Sequence, residues 1–243
     1  MPRLSYRPGV RRYVVACVLL ATHVAAADEA RLTLEVGLRA RSTGAPLSLA
    51  PDVWFDATPR WTFGLVHSSA SVDELGSGAT VCLRQDDLEC SHVYRGSGLD
   101  VLYHWRPMLA PRARLLVRDV DPFKPAVTLG VLAGWRRGRW SVAGDPYLRL
   151  GLANRDQGNR AALVLPVTFA ADVGRTNLAI LTGWDSEVAI IADGWHYPFG
   201  ARVTVHTTRR MDLAATFGWP ALLGPLNDFR NRALFLAVTW YRH

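Results

Sequence analysis

Beyond residue 27, the 243-residue chain contains no apolar run of the roughly 18–20 residues that a membrane-spanning helix needs. A helical membrane protein is therefore excluded. Charged residues make up only 20% of the chain and hydrophobic residues 49%, which is too apolar for a disordered protein. No phosphate-binding loop, nucleotide fingerprint or zinc motif occurs, so we predict no cofactor and no metal site.

The first 27 residues have the composition of an export signal. Basic residues come first, an apolar run from Tyr13 to Ala21 follows, and Ala25, Ala26 and Ala27 precede Asp28. This order predicts a secretory signal peptide at 1–27, cleaved after Ala27, and a mature domain at 28–243. A membrane anchor is the weaker alternative, because the apolar run is too short to span a bilayer.

Removal of this signal weakens the charge argument for nucleic-acid binding. Four of the 28 basic residues lie in the signal, so the mature chain keeps 24 basic and 21 acidic residues and a formal charge of +3. An exported chain with so small a basic excess is not predicted to bind nucleic acid.

From residue 30 onward the hydrophobic pattern has a period of two, which is typical of strands. Leu32, Leu34, Val36 and Leu38, for example, alternate with polar or small residues. One face of each predicted strand is large and apolar, whereas the other mixes glycine, alanine and threonine with charged residues. Alternation alone also fits a water-soluble β-sandwich, so the connections must decide between the two folds.

The connections between the predicted strands alternate between short and longer ones. Short turns fall near 57–60, 107–111, 136–139, 172–175 and 207–210, and mostly longer loops fall near 40–47, 68–97, 120–125, 153–159, 185–195 and 220–231. This rhythm is typical of a transmembrane up-and-down antiparallel β-barrel, which has tight periplasmic turns and longer outer loops. It predicts an all-β fold of twelve strands with both ends on the periplasmic side.

Two details bear on the strand count. If the segment 47–56, which contains Pro51, is not a membrane-spanning strand of a hairpin, the barrel has ten strands instead of twelve. The strand at 139–152 contains a break at Gly144, Asp145 and Pro146, which we interpret as a bulge or a bend.

Aromatic residues mark both ends of the predicted strands, as expected for the two interfacial girdles of a barrel. One group lies beside the short turns or at the C-terminal end, and consists of Phe55, Trp61, Trp105, Trp135, Trp140 and Trp240. A second group lies beside the long loops, and consists of Trp184, Trp195, Tyr197 and Trp219.

The mature chain resembles bacterial (Gram-negative) outer-membrane β-barrel proteins and is porin-like. The resemblance rests on the signal, the period-two strands, the connection rhythm and the final segment 233–241, which is apolar at alternate positions and aromatic near its end. It implies a location in the outer membrane, contact with outer-membrane lipid and insertion by the barrel assembly machinery, which reads such a final strand. Here Arg242 and His243 follow the aromatic residues, so that signal is displaced from the terminus.

The polar face of the strands is the first candidate site, because in a barrel it lines the lumen. Its charged residues are Glu35, Arg39, Asp100, His104, Arg106, Arg112, Arg114, Arg118, Arg149, Arg202, His206 and Asp212. Arginines outnumber acids, and fixed cations in a narrow lumen lower the entry cost of anions. We therefore expect a small passive channel with a mild preference for anionic solutes. The alternative is a closed structural or adhesive barrel whose arginines pair with acids and fill the interior.

A second candidate site lies where the strand containing Trp61 ends. His67 and Ser69 continue the lipid-facing side of that strand, and Glu74 follows. Outer-membrane lipid A deacylases carry a His-x-Ser pair with an acid nearby, in which the imidazole takes the hydroxyl proton. A lipid hydrolase using His67, Ser69 and Glu74 is thus the alternative from another functional class, although a polar strand end explains the same residues.

The long loop 68–97 is the third candidate. It carries Cys82 and Cys90, the two cysteines that remain after signal cleavage, and in an oxidising compartment they are predicted to form a disulfide. A loop stapled in this way would fold into the lumen as a constriction or bind a partner. The simpler alternative is that the disulfide only protects an outer loop from proteases.

Overall fold

The computed structural model describes residues 29–40, 47–68, 75, 81–82, 97–120 and 122–242. The predicted signal peptide at 1–27 lies outside them. Twelve strands span the fold, and in chain order they are Glu29–Ala40 (β1), Leu47–Thr58 (β2), Trp61–Val66 (β3), Ser97–Tyr103 (β4), Leu109–Val120 (β5), Phe123–Arg137 (β6), Trp140–Gly144 with Tyr147–Gly151 (β7), Ala162–Val173 (β8), Thr176–Glu187 (β9), Trp195–Thr208 (β10), Met211–Leu223 (β11) and Arg232–Arg242 (β12). A two-residue strand, Val81–Cys82, and a 3₁₀ turn, Val188–Ile190, complete the assigned elements.

The strands form one closed antiparallel sheet in which neighbours in sequence are neighbours in space. β1 closes the barrel by pairing with β12 from Ala30 opposite Arg242 to Ala40 opposite Arg232. Closure satisfies the backbone hydrogen bonds that a lipid environment would leave unpaired. No helix in the described part of the chain is long and apolar enough to cross a membrane.

The predicted strand count of twelve is confirmed. β2 pairs with β1 from Glu29 opposite Asp56 to Leu38 opposite Leu47, so the segment that contains Pro51 is a full wall strand. The break at 144–146 is also present, and the two parts of β7 both pair with β6 and with β8. β7 therefore crosses the wall once, with an interruption in the middle.

The short turns lie where the sequence predicts them, between the strand pairs β2–β3, β4–β5, β6–β7, β8–β9 and β10–β11. Two of these turns consist of a glycine followed by an arginine, and Gly138 and Gly174 have φ values of 59° and 60°. A positive φ at the first central residue is the requirement of a type II′ hairpin turn, which glycine meets without steric cost.

One predicted loop is wrong. The connection near 120–125 is not a longer loop, because only two residues separate β5 from β6. Val120 pairs with Phe123 after a register shift, and the neighbouring residues Asp119 and Lys124 form an ion pair at 3.6 Å. Asp119 and Lys124 thus lie at the ends of two neighbouring strands that this ion pair joins.

The two faces of the wall differ as the alternation predicts. In β1, Leu32, Leu34, Val36 and Leu38 are 37–45% exposed on the outside, whereas Glu35 is 4% exposed on the inside. On the outer face near the short turns, Trp61 packs against Tyr103 with ring centroids 4.8 Å apart. An apolar outer band with aromatic residues at its border is the surface that a β-barrel presents to lipid.

Candidate functional site

The barrel encloses a cavity of about 590 Å³ that reaches the two chain ends at the short-turn side. Both acids and bases line it, together with threonines and four aromatic side chains. The lining residues that the following paragraphs use are Arg31, Glu35, Asp52, Trp54, Asp56, Thr62, Ser68, His104, Arg112, Arg202, Asp212, Thr216 and Tyr241.

Arg112 on β5 is the centre of an ion-pair network on one wall of the lumen. It pairs with Asp100 on the neighbouring strand β4, to which its Nε donates at 2.8 Å, and with Asp145. Alternation directs Asp100 and Arg112 inward, and it directs Asp145 inward too, because the two parts of β7 keep one register with β6 across the break. The side chains of Asp100 and Arg112 are only 0% and 10% exposed.

Arg114 extends the network by one further step along β5. It reaches Asp145 at 3.3 Å, donates to the Thr128 hydroxyl at 3.1 Å, and lies over the Tyr147 ring at 4.5 Å. Two arginines and two aspartates therefore neutralise one another on this wall. A buried pair of this kind is costly to break, because removal of one partner leaves a buried charge uncompensated.

Arg31 and Arg202 also line the cavity, but they do not belong to this ion-pair network. The Arg31 guanidinium lies 5.0 Å from the Trp54 ring centroid. Arg202 on β10 donates from Nε to the Thr216 hydroxyl at 2.9 Å. Within the described residues neither guanidinium is in salt-bridge contact with an acid, so both positive charges face the cavity.

Several acids at the short-turn end of the cavity are hydrogen-bonded to neighbours. Asp56 accepts from the Thr62 hydroxyl at 2.5 Å, and that hydroxyl also lies 2.8 Å from Nε2 of His104. Asp212 contacts Nδ1 of His206 at 2.8 Å and accepts from the Tyr241 hydroxyl at 2.8 Å. These hydrogen bonds hold the carboxylates against the wall.

The buried carboxylate of Asp52 marks the point where the chain leaves the wall after β3. It accepts from the backbone N–H of His67 at 2.6 Å, and from the backbone N–H and the hydroxyl of Ser68 at 2.7 and 2.5 Å. Asp52 and Ser68 are 2% and 0% exposed. A carboxylate that accepts three hydrogen bonds fixes the direction of the chain, and here that direction is into the lumen.

The side chain of Leu75 lies inside the barrel. Its side chain is 2% exposed, and its methyl groups lie 3.0 Å from the positions where Gly200 on β10 and Gly218 on β11 would carry a Cβ atom. Two glycines on the opposite wall thus make room for this leucine. Val81 and Cys82 pair with Leu49 and Ser48 of β2.

The remaining charged residues of the predicted lumen face are placed as follows. Arg118 reaches the carbonyl of Gly158 in the loop before β8 at 3.3 Å, and Arg149 lies opposite inward-facing Thr128. The structure places Arg106 outside the lumen, because β4 ends at Tyr103 and Arg106 lies in the exposed turn that follows. The side chain of Arg39 is not among those that the structure describes.

The His-x-Ser site is only partly described. Burial lowers the pKa of the His67 imidazole below its ordinary value. Ser69 and Glu74 lie outside the described residues, so the hydrolase site stays a prediction. The predicted Cys82–Cys90 disulfide does too, because Cys90 and the side chain of Cys82 are not described.

Sequence reasoning missed four residues that shape the lumen, namely Arg31, Asp52, Leu75 and Asp145. Asp52 alternates in phase with Trp54 and Asp56, which is the signal that would have placed it on the inner face. Asp145 alternates in phase with Tyr147 and Arg149 of β7, which is the same kind of signal. Among the described residues, no group of three or more histidine, cysteine, aspartate or glutamate side chains has the arrangement of a metal site.

The closed wall, the apolar outer band and the charged lumen define a class of protein. The chain is a twelve-stranded β-barrel with the fold of bacterial outer-membrane porins, and this fold places it in the outer membrane.

The comparisons with known proteins agree with this class. The chain is similar to the NanC porin, with a TM-score of 0.58, 9% identity, and coverage of 86% of this chain and 98% of that one. It is also similar to the KdgM porin in complex with disordered oligogalacturonate, with a TM-score of 0.52, 7% identity, and coverage of 87% and 99%. No family model matches the chain, and no curated protein matches its sequence. At these identities the likeness concerns the fold.

Proposed function

We propose that the chain is a passive channel for small solutes with a mild preference for anions. The observation that carries this proposal is the polar cavity inside the barrel, into which the positive charges of Arg31 and Arg202 project. Fixed cations in a narrow lumen with low-dielectric walls attract anions and lower their entry cost.

The preference is mild because acids line the same cavity. Asp100 and Asp145 are neutralised by Arg112 and Arg114 and contribute little net field. Other carboxylates, among them Glu35, Asp52 and Asp212, line the cavity together with Arg31 and Arg202. These acids offset part of the positive charge that a passing solute meets.

The similar porins support passage through the lumen. NanC and KdgM both carry the name porin, and KdgM was solved with an oligogalacturonate, which is an anion. At identities of 9% and 7%, these similarities support the barrel fold. The proposed preference for anionic solutes rests on the charges of this chain's own lumen.

Single-channel recording in a planar bilayer tests the proposal. We expect discrete conductance steps and, in a salt gradient, a reversal potential displaced towards that of the anion. Arg202→Gln removes one lumen cation and should move the reversal potential towards the cation side. Arg155→Gln is the matched control, because Arg155 is an exposed residue of the loop before β8.

Two results would contradict the proposal. Folded, inserted protein that never conducts would indicate a closed structural or adhesive barrel. A wild-type reversal potential on the cation side would retain the channel and remove the anion preference.

A further inference from the structure

Exposed arginines are concentrated on the short-turn rim of the barrel, which is the periplasmic rim of such a fold. On one side of that rim they form what we call the basic arc, which consists of Arg106, Arg136, Arg137, Arg139 and Arg175. All five are exposed, and one described acid neutralises part of the charge, since Arg136 pairs with Asp172 at 2.5 Å.

The basic arc is continuous because backbone hydrogen bonds join the turns that carry it. The N–H of Gly134 in β6 donates at 2.9 Å to the carbonyl of Met108 in the turn after β4. The N–H of Asp172 in β8 donates at 2.8 Å to the carbonyl of Arg139 in the next turn. Three neighbouring turns therefore present their arginines side by side.

Two arginines of the arc face the lipid rather than the lumen. Arg106 lies over the Trp105 ring at 5.2 Å, and Arg139 lies over the Trp140 ring at 5.1 Å. Both tryptophans are on the outer face of the wall, 61% and 56% exposed. Tryptophan at the end of a spanning strand lies at the level of the lipid headgroups, so these guanidinium groups lie there too.

We propose that the basic arc binds the phosphate groups of anionic phospholipids in the periplasmic leaflet. A guanidinium group matches a phosphate with two parallel hydrogen bonds, and neighbouring arginines add their attraction to a negative lipid surface. The stacked tryptophans hold two of the guanidinium groups at the height of the phosphates. This binding is independent of whether the lumen conducts.

Native mass spectrometry of the detergent-folded protein tests the proposal. The probes are dioleoyl phosphatidylglycerol and dioleoyl phosphatidylethanolamine, and the readout is the ratio of the two lipids retained. The test variant is Arg106→Gln/Arg137→Gln/Arg139→Gln, which leaves the Arg136–Asp172 pair intact. We expect at least a roughly tenfold loss of the preference for phosphatidylglycerol, because each arginine near an anionic lipid surface strengthens binding about fivefold.

The control variant is Arg155→Gln/Arg160→Gln/Arg230→Gln, which removes the same charge from exposed positions at the opposite rim. It should retain the wild-type lipid ratio. An unchanged ratio in the test variant, or an equal loss in both variants, would overturn the proposal. A test variant with an unchanged lipid ratio and a shifted reversal potential would also overturn it, since the arginines would then act on passing solutes.

Folding is checked by the heat-dependent mobility that a folded barrel shows in gel electrophoresis. If the triple variant does not fold, Arg106→Gln and Arg139→Gln decide singly, each with an expected loss of about fivefold. The wild type provides a further test. Its preference for phosphatidylglycerol should decline steeply when the salt concentration rises from about 50 to about 500 mM, because salt screens exposed charges. A preference that salt leaves unchanged would contradict binding by the basic arc.

Discussion

At the scale of single residues, Arg112 is the side chain that pairs with two carboxylates on the inner wall. Its guanidinium group bridges Asp100 on the neighbouring strand and Asp145 in the break of β7. Both aspartates point away from lipid into a partly enclosed lumen, where neither is fully solvated. The arginine thus stabilises two carboxylates at once.

Arg112→Gln should therefore destabilise the barrel strongly. The glutamine leaves Asp100 buried without its cation, and loss of one partner from a buried ion pair costs about 3–5 kcal/mol. The free energy of unfolding, measured by urea titration of protein folded into lipid vesicles, should decrease by that amount.

The matched control for this prediction is Arg136→Gln. Arg136 also pairs with an aspartate, Asp172, but its side chain is 62% exposed. An exposed pair contributes about 0–1 kcal/mol, so this variant should unfold close to the wild type. Equal losses in the two variants would contradict the distinction between a lumen network and a surface pair.

Residue type and strand phase predict part of this wall. Alternation alone places Asp100, Arg112 and Arg114 on one inward face, and the structure finds them there in one network. The same alternation places Asp145 inward, because the two parts of β7 keep one register with β6, but it does not predict that Arg112 and Arg114 both pair with Asp145. It also misplaces Arg106, since a period says nothing about where a strand ends.

At the scale of elements, the segment after β3 distinguishes this barrel from a plain cylinder. Asp52 turns the chain inward at His67 and Ser68, and Leu75 lies against the glycines of β10 and β11. The sequence leaves two alternatives for the loop 68–97, an outer loop that resists proteases and a constriction of the lumen. The position of Leu75 supports the constriction.

Leu75→Ser should widen the conducting path. The smaller side chain vacates space beside Gly200 and Gly218, and its hydroxyl is compatible with a water-filled lumen. We expect a larger single-channel conductance than that of the wild type, together with more frequent fluctuations of the open current, measured in the same planar bilayers.

Leu226→Ser provides the comparison, because Leu226 is a 49% exposed residue of the loop before β12 and the exchange of side chains is identical. Its conductance should equal that of the wild type. If Leu75→Ser also left the conductance unchanged, Leu75 would not lie on the conducting path.

The inward direction of the chain at His67 and Ser68 could not be predicted from the pattern, for a physical reason. It depends on the three hydrogen bonds that Asp52 accepts from residues 15 and 16 positions further along the chain. The turn at 138–139, in contrast, was predictable, because a glycine between two alternating segments has few other roles.

At the scale of the whole molecule, the account depends on which side of the wall meets lipid. The alternating apolar residues of β1 and of the other strands point outward, and the charged network points inward. A soluble sandwich of the same strands would place the apolar face in its core. Closure of β1 on β12 removes the two sheet edges and leaves the apolar band as the outer surface.

The fold was largely predictable at this scale, because period and connection length are properties of the entire chain. Twelve strands, the short turns and the aromatic borders all follow from them. The contents of the lumen are less predictable, since they depend on contacts between residues that are distant in sequence.

Refolding with and without a bilayer tests the central claim most directly. Urea-unfolded protein is diluted into buffer alone or into phospholipid vesicles, and heat-dependent gel mobility and sedimentation are measured. We predict a heat-modifiable, protease-resistant barrel only in the presence of vesicles, and aggregation in buffer alone. A compact, soluble monomer in buffer without lipid or detergent would contradict the claim, because the apolar band would then have to be buried within the protein.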